Sequence, residues 1–259
     1  MTPLTSPSIG DRALSRGRSQ TSANYRLRLG SNAGDMQAAQ SLRFLVFNVE
    51  MNEGLEASYA TLRDEDPFDP ICDHLLVEDI ATGEVVGTYR LQSGETAARN
   101  LGYYSAQEFN LACMEPFRAQ IVELGRACVH SSHRNLRVLG LLWKGIACYA
   151  RERGARYLIG CSSLPTTEAA AGAAAYSSLM RRHLAEEAFR VSPQPGWECP
   201  MDKMNPGEAK IPRLLMGYLS LGAKICGAPA IDREFKTIDF LTLMDLETLP
   251  AATVERYLI

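Results

Sequence analysis

The chain has 259 residues, 46% apolar and 22% charged, which is the composition of a globular protein able to bury one sizeable core. A net charge of −3 excludes a global attraction to nucleic acid, so no nucleic-acid partner is expected. No stretch approaches the roughly 18 uninterrupted apolar residues of a membrane span, and seven scattered cysteines without a C-x-x-C pair suit a reducing cytoplasm.

Residues 1–24 are rich in Ser, Thr, Pro and Arg, with Arg12, Arg16 and Arg18 against Asp11, and they lack the apolar core of a secretory signal. The reading is a disordered tail ahead of a domain over 25–259. A weakly basic tail could also make peripheral contact with the inner face of an anionic membrane. Tyr25, Leu27 and Leu29 alternate with Arg26 and Arg28, which predicts a half-buried strand. Over 33–51 the apolar spacing turns to threes and fours, at Met36, Ala39, Leu42, Val46 and Val49, which predicts a helix. The stretch 64–70 carries Pro67 and Pro70 and reads as a loop.

Strands over 74–80 and 84–92 are joined by Ala81-Thr82-Gly83, a hairpin whose glycine is free to take positive φ. The stretch with Tyr103, Tyr104 and Phe109 predicts short helices. Residues 120–130 read as a buried strand, and 137–153 as an amphipathic helix closed by Gly154. A strand follows over 157–161. Thr167 is the expected cap of an alanine-rich helix to about residue 184. After a proline-rich loop, Pro212 opens and Gly222 ends a further helix, and 235–243 alternates as a last strand. The natural packing is an α/β fold with a mixed sheet, helices on both faces and a C-terminal extension.

Four features could carry chemistry. Asp66 and Asp69 flank Phe68 in a loop, where solvated acids are the plain alternative. Arg90 sits in the apolar strand Val85-Val86-Gly87-Thr88-Tyr89-Arg90-Leu91 and needs a counter-charge if buried. Glu123 and Arg126 lie in one apolar strand, where charge is costly unless paired or functional. Their odd separation sends them to opposite faces, and Gly125 between them marks a place for a bulge; a structural ion pair is the competing reading. Arg134 and Arg137 stand by the start of the next helix, a setting suited to phosphate. His130 and His133 have no nearby Cys or carboxylate partners, so no metal is expected.

Strand, arginine turn and amphipathic helix together resemble the acyl-carrier motif of GNAT acyltransferases. The usual glycine-rich turn is replaced by Arg134-Asn135-Leu136-Arg137, leaving fewer glycine amides for the pyrophosphate of coenzyme A. Arg43-x-x-x-Phe47, Asp66-x-Phe68-Asp69, Gly87-x-x-Arg90-Leu91 and Glu123-x-x-Arg126 resemble acyl-homoserine-lactone synthases and ornithine-lipid N-acyltransferases. The second family is the nearer likeness, through Cys72-Asp73-His74-Leu75, Glu123-Leu124-Gly125-Arg126-x-Cys128-Val129-His130, Leu142-Trp143-x-Gly145-Ile146 and Leu214-Leu215-x-Gly217-Tyr218.

The resemblance implies a GNAT-like fold and transfer of a 3-hydroxyacyl group from acyl carrier protein to the α-amine of ornithine. The phosphopantetheine thioester is then a co-substrate, and no further cofactor is expected. It implies Glu123 and Arg126 as catalytic residues, and Arg43, Phe47, Asp66, Phe68, Asp69 and Arg90 around the acceptor. Val129, Arg134 and Arg137 would meet the carrier arm. Asp66 and Asp69 would suit a cationic amino acid, or else organise the cleft with the three arginines. Two other readings are another N-acyl amino acid synthase and a non-catalytic acyl-carrier-binding module. No G-x-S-x-G signature supports a hydrolase.

Overall fold

The structure, a computed structural model, describes residues 19–22, 24–202 and 210–249. A nine-stranded sheet runs in the order β1-β2-β3-β4-β5-β6-β9-β7, with β8 also paired to β9. The strands are β1 (Ser19–Ser22), β2 (Tyr25–Leu29), β3 (Asp73–Asp79), β4 (Val85–Ser93), β5 (Ile121–Val129), β6 (Tyr157–Leu164), β7 (Lys224–Ile225), β8 (Ala230–Asp232) and β9 (Thr237–Asp245). Every pairing is antiparallel except β5 with β6. The helices are α1 (Ala33–Phe44), α2 (Gly94–Arg99), α3 (Leu136–Glu152), α4 (Ala169–His183) and α5 (Arg213–Ser220).

Local chemistry explains most of these elements. Gly83 turns the β3–β4 hairpin at φ +73°, a region that L side chains avoid. Asn135 caps α3 by accepting from the backbone N–H groups of Arg137 and Val138. The apolar face of α3 (Val138, Leu142, Ile146 and Tyr149) packs with Leu27, Leu75, Tyr89 and Leu91. Gly145 permits that approach, since a Cβ there would meet Leu75 Cδ2 at 2.7 Å. Along β4, alternation sends Tyr89 and Leu91 into this core and Arg90 to the opposite face, where α1 lies. A second core around Phe109, Ile121, Ile159 and Leu243 and a third around Leu179, Leu219, Ile238 and Phe240 fill the C-terminal half.

Three expectations are corrected. The first 18 residues of the expected tail lie outside the described residues, but Ser19–Ser22 form an edge strand on β2. Thr167 does not cap α4; the helix begins at Ala169, and Thr166 Oγ1 accepts from the Glu168 N–H. The last strand, expected over 235–243, runs over Thr237–Asp245, and its alternation does not mark a solvent face. It lies between β6 and β7/β8, and all of its residues but Asp245 are buried.

Candidate active site

β5 pairs with β6 only at Ile121–Tyr157, Val122–Leu158 and Glu123–Ile159. Beyond Glu123 the two strands part, and a cavity of about 750 Å³ opens between them, walled by Leu124 to Val129 on one side and Gly160 to Ser163 on the other. The split begins at a tight point, because a Cβ on Gly160 would lie 2.2 Å from the Leu124 carbonyl oxygen. Gly160→Ala should therefore wedge the strands at the root of the cavity. We expect a loss of about 1–3 kcal/mol, or ~2–10 °C in melting temperature, together with lost activity. Thermal unfolding and kinetics check this; an alanine variant with normal melting would show that the contact relaxes freely.

A bulge lies beside the split. Thr88 pairs with Cys128 and Arg90 with Gly125, so Tyr89 faces both Arg126 and Ala127. The bulge foreseen at Gly125 exists, but the positive φ of +50° falls on Arg126. This turn aims the Arg126 guanidinium at Tyr104 and Phe235, 4.7 and 4.3 Å from their ring centroids. Glu123 and Arg126 form no direct ion pair, so the structural pairing weighed from the sequence is absent.

The arginines instead meet three aspartates. Arg43, 0% exposed, donates to Asp69 Oδ2 at 2.6 Å and sits 2.8 Å from Asp64 Oδ2. Arg90 reaches both oxygens of Asp66 at 2.6 and 2.7 Å and Asp69 Oδ1 at 3.1 Å. Arg126 reaches Asp66 Oδ2 at 3.0 Å and faces Asp64 Oδ2 at 3.3 Å. The Asp64 contacts are close ion pairs whose N–H vectors are not aligned for hydrogen bonds. Three positive and three negative groups neutralise one another, as buried charge requires. Burial opposes ionisation of Asp69, yet the hydrogen bond and charge of Arg43 hold it well below the usual carboxylate range.

Among the acceptor residues expected from the sequence, Phe47 and Arg90 line the cavity, whereas Arg43, Asp66, Phe68 and Asp69 stand behind its wall. Phe68 packs edge-on against Tyr104, and Arg90 lies over both rings. Asp64 was missed by the sequence reading, although a third acid to match three arginines was a usable signal.

Glu123 lines the cavity and is 5% exposed. Its carboxylate accepts from the backbone N–H of Tyr104 (2.7 Å), the backbone N–H of Ser105 (2.8 Å) and the Ser105 hydroxyl (2.6 Å). Burial raises its pKa above the ordinary value, against the pull of these hydrogen bonds. A carboxylate has about four acceptor sites, so room remains for one further donor.

On the donor side, Val129 and Arg134 line the cavity, and Arg137 is exposed outside it. Arg134 donates to the Val129 carbonyl at 3.1 Å and pairs with Glu50 at 2.5 Å. Asn135 Oδ1 already occupies two of the first amides of α3, those of Arg137 and Val138, which are therefore not free for a ligand. Leu136, 71% exposed, stands at the mouth.

Sequence reasoning missed two further groups on the wall. The hydroxyls of Tyr89 and Tyr218 share a short hydrogen bond of 2.5 Å, bringing α5 onto the bulge. Glu108, Asp232 and Asp239 bring their carboxylates within 4.8 Å of one another.

The chain is similar to known proteins. A profile described as an acetyltransferase (GNAT) domain fits residues 42–144. The fold is shared with an N-acyl amino acid synthase, FeeM, from uncultured soil microbes (TM-score 0.53, 11% identity, 86% of this chain and 93% of that one). It is also shared with the acyl-homoserine-lactone synthase LasI (TM-score 0.50, 13% identity, 90% and 94%). Much closer in sequence is the L-ornithine Nα-acyltransferase of Brucella abortus, 37% identical over 247 residues, covering 89% of this chain and 88% of the relative. The L-ornithine Nα-acyltransferase of Agrobacterium fabrum is 35% identical over 246 residues, covering 89% and 84%. Among the described residues no helix is long and apolar enough to cross a membrane. Identities of 35–37% over 89% of this chain, together with the match to the GNAT profile, show that the chain belongs to the L-ornithine Nα-acyltransferase family of GNAT enzymes.

Proposed function

We propose that this acyltransferase moves a 3-hydroxyacyl group from acyl carrier protein to the α-amine of ornithine, giving a lyso-ornithine lipid. The observation that carries the reading is the cavity at the β5–β6 split. Its walls are apolar at Phe47, Ala127, Leu139, Leu142 and Leu215, and one carboxylate, Glu123, lies where the strands separate. The names of the relatives supply ornithine. The occupied amides at the α3 start favour the single phosphate of a carrier arm over coenzyme A.

The chemistry follows from these groups. Glu123 takes a proton from the α-ammonium, directly or through water, and frees the nitrogen lone pair. Nitrogen bonds to the thioester carbon while the C=O π pair moves onto oxygen. A backbone N–H on the open edge of β5, between Leu124 and Val129, holds that oxyanion. Collapse restores the carbonyl and breaks the C–S bond, and the thiolate leaves with the second proton of the attacking nitrogen. Arg126 and Arg90, fixed by the aspartates, shape the acceptor end. The basic residues ahead of β1 give weak, salt-screened contact with an anionic membrane that receives the product.

The test is a purified-protein assay with isotope-labelled ornithine and one 3-hydroxyacyl chain on carrier protein or on coenzyme A. We expect labelled N-acylornithine by mass spectrometry, with higher kcat/KM from carrier protein. Equal efficiency on coenzyme A would sink the donor assignment, and absence of the labelled product the acceptor.

A further inference from the structure

Glu108, Asp232 and Asp239 come from three separate segments and meet on the cavity wall that also holds Glu123. They are 2%, 4% and 4% exposed. Among the described residues no Lys or Arg pairs with any of them, in contrast to the neutralised Asp64, Asp66 and Asp69. Glu108 Oε2 and Asp239 Oδ1 are buried without a hydrogen-bond partner. Buried acceptors left in this state are costly unless a donor arrives with a ligand.

We propose that Glu108, Asp232 and Asp239 form the receptacle for the side-chain ammonium of the amino-acid acceptor, and so set the preference for a basic amino acid. This rests on the reading of the cavity as an amino-acid acylation site. A primary ammonium carries three N–H donors and one positive charge, which matches two orphaned oxygens and an uncompensated acidic cluster. Asp66 and Asp69 cannot take that role, because their oxygens are already held by arginines, Gln40 and backbone.

The electrostatics agree. Burial lifts Asp239 to about 6, against a hydrogen bond from Ser163 and with the charge of Asp232 adding to it. Burial, the charges of Asp239 and Asp232 and a hydrogen bond that Glu108 donates to Asp239 when protonated raise Glu108 well above its usual range, so without a ligand the two carboxyls share a proton. An incoming ammonium replaces the proton these two would otherwise hold. Cys161 ties the cluster to the reaction end: its thiol, 3.7 Å from Glu108, is raised by burial and then by the charges of Glu108, Asp239 and Glu123. A divalent cation is less well served, since Asp232 Oδ1 already accepts from the N–H groups of Glu234 and Phe235.

The test compares ornithine with norvaline, which keeps the α-amine and three-carbon side chain but lacks the ammonium. It uses the full-length protein and its Glu108→Gln and Asp239→Asn variants. The wild type should favour ornithine by about 10- to 150-fold in kcat/KM. Each variant should lower that ratio at least tenfold, whatever its absolute rate. A ratio unchanged in both variants overturns the proposal. So does selectivity that disappears with EDTA and returns with Mg²⁺ or Ca²⁺ alone. Calorimetric titration of the same proteins separates this inference from the reading beneath it. Ornithine that binds through the cluster but is not acylated leaves the receptacle standing and removes the function. Ornithine acylated with an unaltered ratio does the reverse, and ornithine that neither binds nor reacts removes both.

Discussion

Asp69→Ala should cost about 3–5 kcal/mol of stability and abolish activity on every acceptor alike. Asp69 is 1% exposed and joins α1 to β4: it accepts from Arg43, Arg90, Gln40 and the Asp66 N–H. Truncating it leaves two buried guanidiniums short of charge, which costs more than the pair was worth. The sign with pH follows from its depressed pKa. The folded state holds Asp69 ionised where the unfolded chain, near 3.8, would take a proton. Its stabilisation is therefore present above that value and is lost as pH falls below it toward the folded-state pKa. Urea unfolding at about pH 7 and about pH 2.5 checks both points: a lower midpoint at constant m, and a wild-type advantage that shrinks once the pH is below the unfolded value. Loss of activity on ornithine alone, with an unchanged midpoint, would return Asp69 to substrate recognition.

Much of this arrangement was legible in the sequence, for physical reasons that differ by element. The β3–β4 hairpin, β5 and α3 carry their own periodicity and punctuation, and they appear within a residue or two of where the pattern puts them. Charges in apolar strands announced Arg90, Glu123 and Arg126 as residues in need of an explanation. The rest was hidden where the decisive contacts are distant in sequence. β1, Ser-Gln-Thr-Ser, has no apolar alternation and is held by pairing with β2. β7 and β8, of two and three residues, are too short for any period to show. β9 looks half-polar because Asp239 and Thr242 are buried without being apolar. The acidic cluster joins positions 108, 232 and 239, and no local spacing links the first to the others. At the bulge the sequence located the irregularity through Gly125, but the strained backbone belongs to Arg126, whose guanidinium is fixed by aspartates and aromatic rings.

Glu123→Gln should lower kcat/KM by about 10²- to 10⁴-fold, the usual worth of a general base. That loss alone would not identify the base. Glu123 also anchors the turn at Tyr104 and Ser105 through three hydrogen bonds, and Gln presents an NH₂ to donors that expect an oxygen. The discriminating variant is Ser105→Ala, which leaves the carboxylate in place. The Ser105 hydroxyl lowers the Glu123 pKa against the larger effect of burial, so its removal shifts that pKa further upward. If Glu123 must be ionised to accept the proton, the acidic limb of the kcat/KM profile moves to higher pH in Ser105→Ala. The limb set by the acceptor amine stays fixed, because that amine is the same in both enzymes. A carboxylate that only anchors the turn predicts a lower melting temperature and no displacement of either limb. A limb that stays put in Ser105→Ala, at full solubility and normal melting, would remove Glu123 from the proton transfer.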